Sequence, residues 1–441
     1  MSPAPTTQDP AAAGRRLQLT RAAQWFAGTQ DDPYALVLRA EATDPAPYEE
    51  RIRAHGPLFR SDLLDTWVTA SRAVADEVIA SPAFDGLTAD GRRPGARELP
   101  LSGTALDADR ATCARFGALT AWGGPLLSAP HEQALRESAE RLAHALLDGM
   151  EAALAADGTV DLVDAYARRL PAQVLREQLG VTEEAAAAFD DALAGCRRTL
   201  DGVLCPQLLP DAVAGARAEA ALTAVLASVL RGTEAGRTPD AVAAARTLAV
   251  GAAEPTATLV GNAVQELLAR PAQWARLVGD PRLAAAAVTE TLRVAPPVRL
   301  ERRVAREDTQ VAGQRIPAGG SVVVLVAAVN RAPAPAPAAA DGGAPTTPHA
   351  GGTPAPFDLT RPVTAPGPFG LPGDLHFRLG GPLVGTVAEA ALGALAARLP
   401  GLRAAGPATR RRRSPVLHGH ARLPVAAART ARDLPATAPR N

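Results

Sequence analysis

Apolar residues recur at helical spacing through much of the chain beyond Pro130. In the segment 131–156, leucine and methionine recur at intervals of three, four and seven, which is typical of a helix that buries one face. The same kind of pattern predicts helices at 172–179, 183–204 and 210–230. We therefore expect most of the core to consist of packed helices.

The strongest helix start in the sequence is Thr238-Pro239-Asp240, which combines an N-cap, a first-turn proline and an acid at the positive end of the helix dipole. The helix that it opens runs toward Arg270, about 30 residues or ~45 Å at the standard rise. Since this helix is apolar on most faces, we expect it to cross the protein centre. Pro255 in its middle removes a backbone hydrogen bond at a cost of ~3 kcal/mol.

Short β-type runs complete the predicted elements. The runs 57–60 and 66–69 predict a hairpin, and the runs 309–311, 314–316 and 321–326 predict a small sheet. A further run, 414–417, is typical of an edge strand, and the last long helix is predicted over 382–399. The expected fold class is therefore mainly α with small β-sheets. We expect one large domain over 15–441, preceded by a disordered leader at 1–14 and interrupted by a low-complexity loop at 332–356.

Composition excludes several classes of function. The chain has 441 residues, 47% of them apolar, and a formal net charge of zero, so neither nucleic acid nor an anionic membrane is an expected partner. It contains no lysine, which excludes a Schiff-base or phosphate-loop lysine. No signal-type segment and no run of roughly 20 apolar residues is present, so we expect a cytoplasmic protein.

The residues that could form a metal site or a nucleic-acid site are better explained as ordinary structural residues. Three cysteines, Cys113, Cys196 and Cys205, are too few and too irregularly spaced for a disulfide framework or a zinc site. The pair His418 and His420 lacks a third ligand nearby, so a pair at a strand edge is the default interpretation. The arginine run 410–413 lacks interleaved aromatic residues and is predicted to be a solvated turn.

The order of motifs near the C-terminus carries a family resemblance. A long central helix is followed by a helix with Glu290-x-x-Arg293, a strand with Arg303, the stretch 327–331 (Ala-Ala-Val-Asn-Arg), and His376-Phe-Arg-Leu-Gly with a helix behind it. In this order the motifs resemble those of bacterial cytochromes P450 over roughly residues 32–423. The resemblance implies the cytochrome P450 fold, with Arg303 and His376 at positions that face haem propionates.

The departures from that family concern the haem site itself. Arg378 stands where the resemblance places the iron-ligating cysteine, and a guanidinium cannot ligate iron. Pro255 stands where the oxygenases carry the threonine that relays protons to bound dioxygen. Pro356 stands where the third member of the Glu–Arg–Arg network is expected. We therefore expect no haem, no other cofactor, no metal and no catalytic residue.

This combination resembles the haemless cytochrome P450-like auxiliary (activator) proteins of antibiotic glycosyltransferases, such as the partner of the erythromycin-pathway desosaminyltransferase. Further stretches that resemble this group are 14–20, 32–34, 66–69, 300–303 and 411–417. The resemblance implies a non-catalytic protein that activates and stabilises a glycosyltransferase in a heteromeric complex. That transferase would attach a TDP-activated amino-deoxysugar to a macrolide-type polyketide aglycone. The bias toward Ala, Arg, Gly and Pro suggests an actinobacterial source.

Without haem, the retained motif residues need another role. Glu290 and Arg293 lie at i and i+3 on one helix face and are expected to form a buried ion pair. Arg303 and His376 are expected to be hydrogen-bonded groups of the core or surface. Trp25 and Phe26, in an amphipathic segment near the N-terminus, are candidate partner contacts, although packing on the chain's own body is an equal alternative.

Two other functions remain open from the sequence. One is a haemless protein that binds a hydrophobic small molecule in the vacated pocket. The other is a haem monooxygenase with unusual ligation, which would need a thiolate from one of three cysteines that all precede the central helix.

Overall fold

The structure is a computed structural model and describes residues 10–39, 44–85, 129–233, 241–331, 355–362 and 375–427. Helices account for most of these residues and the strands are short, which confirms the predicted class. The first helix begins at Pro10, within the segment predicted as a leader. Residues 1–9 of that leader and residues 332–354 of the predicted low-complexity loop lie outside the described residues.

The helices follow the predicted apolar pattern, with some shifted ends. In chain order they are α1 (Pro10–Thr29), α2 (Pro33–Arg39), α3 (Ala46–Ala54), α4 (Arg72–Ala80), α5 (Ala129–Asp157), α6 (Arg169–Leu179), α7 (Glu183–Gly195), α8 (Thr199–Gly202), α9 (Leu209–Leu230), α10 (Ala241–Leu268), α11 (Pro271–Gly279), α12 (Ala284–Val294), α13 (Val326–Arg331) and α14 (Leu375–Arg398). A π-helical turn, Val163–Ala167, precedes α6, and a 3₁₀ turn, Pro281–Leu283, precedes α12.

The long helix α10 runs through the core, as its apolar pattern predicts. Every residue from Thr247 to Val264 is buried, and α10 packs against α14, α9 and α6. The helix continues without a break through Pro255. Its predicted start, Thr238 to Asp240, lies outside the described residues. The main apolar cluster of the protein surrounds this helix and includes the buried faces of α5 and α14.

A mixed sheet lies beside the helical core. The strands are β1 (Phe59–Ser61), β2 (Thr66–Thr69), β3 (Phe84–Asp85), β4 (Val160–Asp161), β5 (Leu300–Ala305), β6 (Thr309–Val311), β7 (Gln314–Ile316), β8 (Ser321–Leu325), β9 (Leu402–Ala404), β10 (Thr409–Arg410), β11 (His420–Arg422) and β12 (Pro424–Ala427). In the described part of the chain the largest sheet has the order β1-β2-β8-β5-β3. The antiparallel pairing of β1 with β2 confirms the predicted hairpin.

Several strand predictions were wrong in their pairing. Strands β6 and β7 form a two-stranded hairpin by themselves, whereas β8 joins the large sheet between β2 and β5. Strand β8 is apolar and buried at four consecutive positions, which suits a central strand with neighbours on both sides. The predicted edge strand at 414–417 is instead a turn. Buried Asp201 accepts hydrogen bonds there from Ser414 Oγ and from the backbone N–H groups of Val416 and Leu417.

The predicted helix over 183–204 is divided, and the last helix is longer than predicted. Helix α7 ends at Gly195, and the short α8 follows at Thr199. Helix α14 begins at Leu375, so Pro382 lies inside it rather than at its start. The backbone of His376 and Arg378 is therefore helical, and their side chains lie outside the described residues.

Candidate functional site

The middle of α10 holds the position from which oxygenases of the resembled family present a threonine. Pro255 occupies that position and has no hydroxyl. The next residue, Thr256, is fully buried, and its Oγ1 donates to the carbonyl of Ala252 at 2.7 Å. Its hydroxyl is therefore bonded within its own helix. Neither residue presents a free hydroxyl to a neighbouring site.

Glu254, directly before Pro255, is held by two arginines from distant segments. Arg411 Nη1 lies 2.9 Å from Glu254 Oε2, and Arg168 Nε lies 3.6 Å from Oε1. The side chain of Arg411 is only 9% exposed. A buried carboxylate needs a countercharge, because an isolated charge in the interior is very costly. The prediction that the arginine run 410–413 is a solvated turn is therefore wrong for Arg411.

Arg410, the first arginine of the predicted turn, also makes its contacts in the protein interior. Arg410 donates to Asn262 Oδ1 at 2.6 Å, to Gln265 Oε1 at 2.8 Å and to the carbonyl of His418 at 2.9 Å. Burial and the charge of Arg299 lower the pKa of Arg410 to about 10. Its guanidinium thereby ties the C-terminal segment to the central helix α10.

His418 and His420 lie next to this guanidinium as buried, neutral imidazoles. Arg299 Nη1 lies 2.9 Å from His418 Nδ1, so this ring nitrogen accepts the hydrogen bond. His420 Nε2 faces Gln265 Oε1 at 2.5 Å. Gly261 on α10 makes room for this ring, since a Cβ at that position would lie 2.9 Å from His420 Nδ1. The pair belongs to the core.

The surroundings of both imidazoles disfavour protonation. Burial, and then the charges of Arg299 and Arg410, lower the pKa of His418 to about 3. Burial, and then the charges of Arg410, His418 and Arg411, lower the pKa of His420 to about 2. No cluster of three or more His, Cys, Asp or Glu side chains suitable for a metal occurs among the described residues.

The structure brings Glu290 and Arg293 together on α12. Arg293 donates from Nε to Glu290 Oε1 at 3.0 Å and from Nη2 to Oε2 at 2.8 Å, and the carboxylate side chain is 5% exposed. Arg293 Nη2 also donates to the carbonyls of Ala355 and Pro356 at 2.9 Å. The pair therefore anchors the segment 355–362 to α12.

A second arginine reaches the same carboxylate, which the sequence argument did not foresee. Pro356 replaces the expected third member of the network, but Arg361 Nε lies 3.0 Å from Glu290 Oε1. Arg361 also donates to the carbonyl of Pro356 at 2.9 Å. The expectation that the network loses its third member is therefore wrong, because the turn after Pro356 returns Arg361 to Glu290.

The resulting cluster favours an ionised carboxylate. Burial is the largest influence on Glu290 and opposes ionisation. Hydrogen bonds from Arg293 and from the Asp358 backbone, together with the charges of Arg293 and Arg361, outweigh it and lower the pKa of Glu290.

Arg303 lies on β5 and is 4% exposed. Its guanidinium pairs with Glu301, two residues earlier on the same face of the strand, and donates to the carbonyl of Arg302 at 3.1 Å. Because Glu301 balances its charge, Arg303 does not require the carboxylate of a cofactor. This contact agrees with the prediction that Arg303 is a hydrogen-bonded core group.

The residues present do not fit a haem group of the cytochrome P450 type. Arg378, which the resemblance places at the position of the thiolate ligand, has no lone pair to donate to iron. Cys196 and Cys205 are buried at the end of α7 and before α9, and burial raises the pKa of each thiol to about 12. Both cysteines are thus thiols rather than thiolates at neutral pH. Cys113 lies outside the described residues.

An exposed apolar surface lies on α1, where Trp25 and Phe26 were predicted as partner contacts. Trp25 is 59%, Phe26 57% and Leu19 70% exposed. Arg39 stacks over the indole of Trp25, with its Cζ 4.5 Å from the ring centroid, and also donates to the Trp25 carbonyl. Exposed aromatic side chains are candidate partner contacts, because aromatic residues often anchor interfaces. We call Leu19, Trp25 and Phe26 the α1 patch.

Comparison with known proteins agrees with this geometry. The family model described as "Cytochrome P450" matches residues 276–335. Protein TylM3 of Streptomyces fradiae is 55% identical, covering 94% of this chain and 93% of that protein. The chain belongs to the cytochrome P450-like auxiliary proteins of glycosyltransferases. A second relative, the cytochrome P450 family protein EryCII of Saccharopolyspora erythraea, is 35% identical over 95% of this chain and 99% of its own length.

The fold of this P450-like auxiliary protein is also that of a solved structure. Mycobacterium smegmatis CYP164A2 in its ligand-free state matches with a TM-score of 0.72 and 25% identity, covering 90% of this chain and 99% of that chain. The fold and the family are therefore predictable from the sequence. The Arg361 contact and the Arg411–Glu254 pair are not, because the sequence holds no local signal for them.

Proposed function

We propose that this auxiliary protein is a non-catalytic activator and stabiliser of a nucleotide-sugar glycosyltransferase. The observation that supports the proposal is Arg378 in the sequence position where the resemblance places the thiolate ligand. Arg303 is paired with Glu301, and Glu254 is paired with Arg411. An oxygenase of this family would need a cysteine thiolate on the haem iron, and Arg378 stands in place of that cysteine.

The activating role requires no chemistry in this chain. A partner that binds only the folded, competent form of the transferase shifts its population toward that form by mass action. The resemblance to the auxiliary group supports a transferase that uses a TDP-amino-deoxysugar donor and a macrolide-type aglycone. The heteromeric complex would form in the cytoplasm, without nucleic acid or membrane.

The α1 patch supports a direct protein contact. Tryptophan is among the residues that most often dominate interface energies. The stacking of Arg39 on Trp25 restricts the indole before any partner arrives, so less conformational freedom is lost on binding. We propose that Trp25 and Phe26 contact the transferase.

Co-expression with a cognate glycosyltransferase tests the proposal. We expect the transferase to be weakly active or insoluble alone, and to gain soluble yield and turnover together with this chain in a stable complex. An absorption spectrum of the same sample should show no Soret band. Equal transferase activity with and without this chain would contradict the activator role, and a stoichiometric haem spectrum would restore the oxygenase hypothesis.

A further inference from the structure

Three segments that are distant in the sequence meet beside helix α1. Gln24 of α1 donates from Nε2 to the carbonyl of Leu204 at 2.9 Å, which holds α1 against the turn between α8 and α9. Arg198, which precedes α8, donates from Nη1 to the carbonyl of Arg412 at 3.3 Å. The turn after β10 therefore lies beside the same part of the chain, and it brings further arginines with it.

Four arginines of these segments form what we call the arginine cluster, namely Arg21, Arg198, Arg412 and Arg413. Burial, and then the charge of Asp201, raise the pKa of the Cys205 thiol to about 12, and three arginine charges oppose that shift. They belong to Arg413, Arg21 and Arg198, which therefore surround one side chain. Burial, and then the charge of Arg413, lower the pKa of Arg21, so these guanidinium groups also act on each other. Arg412 is exposed beside them.

The positive charge of the arginine cluster is not balanced within the part of the chain that the structure describes. None of its four side chains forms an ion pair with a described acidic residue. Asp201 is close by, but it is 1% exposed and accepts from Ser414 Oγ at 2.6 Å and from the backbone of Val416. Glu254 is paired with Arg411 at 2.9 Å. Both carboxylates are thus turned into the core, and the cluster is left facing solvent.

The backbone of Arg413 is strained, which is an independent observation on the same turn. Its φ of 55° lies in the left-handed region, which glycine adopts freely and other residues only at a cost. Gln207 Nε2 donates to the carbonyl of Arg413 at 3.4 Å and helps to hold this conformation. Strained residues of this kind are concentrated at functional sites. An arginine at a position suited to glycine is therefore a candidate functional side chain.

We infer that the arginine cluster is a docking surface for an acidic region of the glycosyltransferase, an inference that rests on the proposed function. Arg21 and Trp25 are four residues apart on α1, so they are neighbours on the surface of that helix. The cluster therefore adjoins the α1 patch, whose aromatic residues are the proposed contacts with the same partner. Guanidinium groups bind carboxylates through paired hydrogen bonds, so Asp and Glu side chains of the transferase are the expected contacts.

The charge balance of the whole chain favours a folded acidic partner over nucleic acid. The chain has 46 basic and 46 acidic residues, so the part of it outside the arginine cluster carries an excess of acidic residues. A nucleic acid extends well beyond four guanidinium groups and would be repelled by that excess. A compact acidic patch on a protein meets the cluster alone, because charges farther away than about 8 Å are largely screened.

Charge reversal tests the inference. We expect Arg412→Glu with Arg413→Glu to lower the affinity for the co-expressed transferase at least about tenfold, and added NaCl to weaken the unmodified complex more than the variant complex. Circular dichroism and Tm should stay close to those of the unmodified chain. Arg231→Glu with Arg276→Glu reverses two exposed arginines outside the cluster and should bind normally. Normal binding by the cluster variant would overturn the inference and leave the proposed function standing.

The absence of lysine from the chain allows a second measurement. Arg412→Lys keeps the positive charge and introduces a single side-chain amine, which a carbodiimide joins to a carboxylate in direct contact. We expect this variant to couple to an Asp or Glu of the transferase, located by mass spectrometry, and Arg231→Lys to couple no more than the unmodified chain. Equal coupling by the two variants, or none by Arg412→Lys, would overturn the inference. Absence of any complex would overturn the proposed function with it.

Two other occupants are separable outcomes. If the chain alone is a dimer that the charge-reversed variant makes monomeric, with transferase binding intact, the cluster is a self-association surface. If duplex DNA binds the unmodified chain and not the charge-reversed variant, again with transferase binding intact, the cluster binds nucleic acid. Either result would overturn the assignment to the transferase.

Discussion

The Nε atom of Arg361 lies 3.0 Å from Oε1 of Glu290, so a second arginine contacts the carboxylate that already holds Arg293. Glu290 also accepts the backbone N–H of Asp358 at 3.1 Å. One buried carboxylate therefore joins α12 to the segment 355–362. Because the carboxylate holds two segments of the chain together, the network indicates a role in stability.

Removing Glu290 should be far more costly than removing Arg361. Glu290→Gln leaves Arg293 with little compensation in a mostly buried site, and we expect a loss of about 3–5 kcal/mol in the free energy of unfolding. The side chain of Arg361 is 33% exposed, so Arg361→Gln should cost only about 1 kcal/mol. Urea unfolding of both variants measures the difference. Equal losses would contradict the expectation, because removing Arg361 alone would then cost as much as removing the carboxylate that both arginines contact.

Removing the carboxylate of Glu254 should also destabilise the protein. Glu254→Gln leaves the guanidinium of Arg411, which is 9% exposed, without its ion pair, and we expect a loss of about 3–5 kcal/mol. Glu140→Gln, at an exposed position of α5, is the matched control and should change stability by less than about 0.5 kcal/mol. Thermal unfolding reports both. A Glu254 variant as stable as the control would mean that the pair contributes nothing.

The contacts of these two carboxylates show what a sequence can predict. Glu290 and Arg293 are three residues apart on one helix, so their spacing alone predicts that they meet. The contact with Arg361 depends on how the segment 355–362 turns back, which no periodicity encodes. The run 410–413 resembles a solvated turn because four arginines stand together, but Arg411 lies inside because Glu254, from a distant helix, needs a countercharge.

The buried histidines should make the protein sensitive to mild acid. The pKa of His418 is lowered from 6.5 to about 3, and that of His420 from 6.5 to about 2. Below pH 6.5 the unfolded chain binds protons that the folded chain does not, so the free energy of unfolding falls as the pH falls. The slope approaches about 1.4 kcal/mol per pH unit for each imidazole.

Measurements between pH 6.5 and 5 emphasise this contribution, because most carboxylates titrate lower, although burial raises the pKa of Asp201 and gives it a contribution of opposite sign. Unfolding in urea across that range should show the loss, and His420→Gln should reduce its slope by about half, since one imidazole remains. His144→Gln, at an exposed position of α5, should leave the slope unchanged. Identical slopes for the unmodified chain and the His420 variant would contradict the neutral, buried assignment.

The α1 patch should contribute to binding much more than to stability. Phe26 is 57% exposed, so Phe26→Ala should change the free energy of unfolding by less than about 0.5 kcal/mol. Trp25→Ala also removes the stacking of Arg39, which is worth about 0.5–1 kcal/mol at an exposed site. If the patch is an interface anchor, either variant should weaken transferase binding by at least about tenfold, or 1.4 kcal/mol.

Leu63→Ala provides the control, because Leu63 is 44% exposed and lies between β1 and β2 rather than on α1. Its affinity for the transferase, measured by titration calorimetry beside the α1 variants, should equal that of the unmodified chain. If Trp25→Ala and Phe26→Ala bind as tightly as Leu63→Ala while remaining folded, the two aromatic residues do not contact the transferase. The interface would then have to lie elsewhere on the protein.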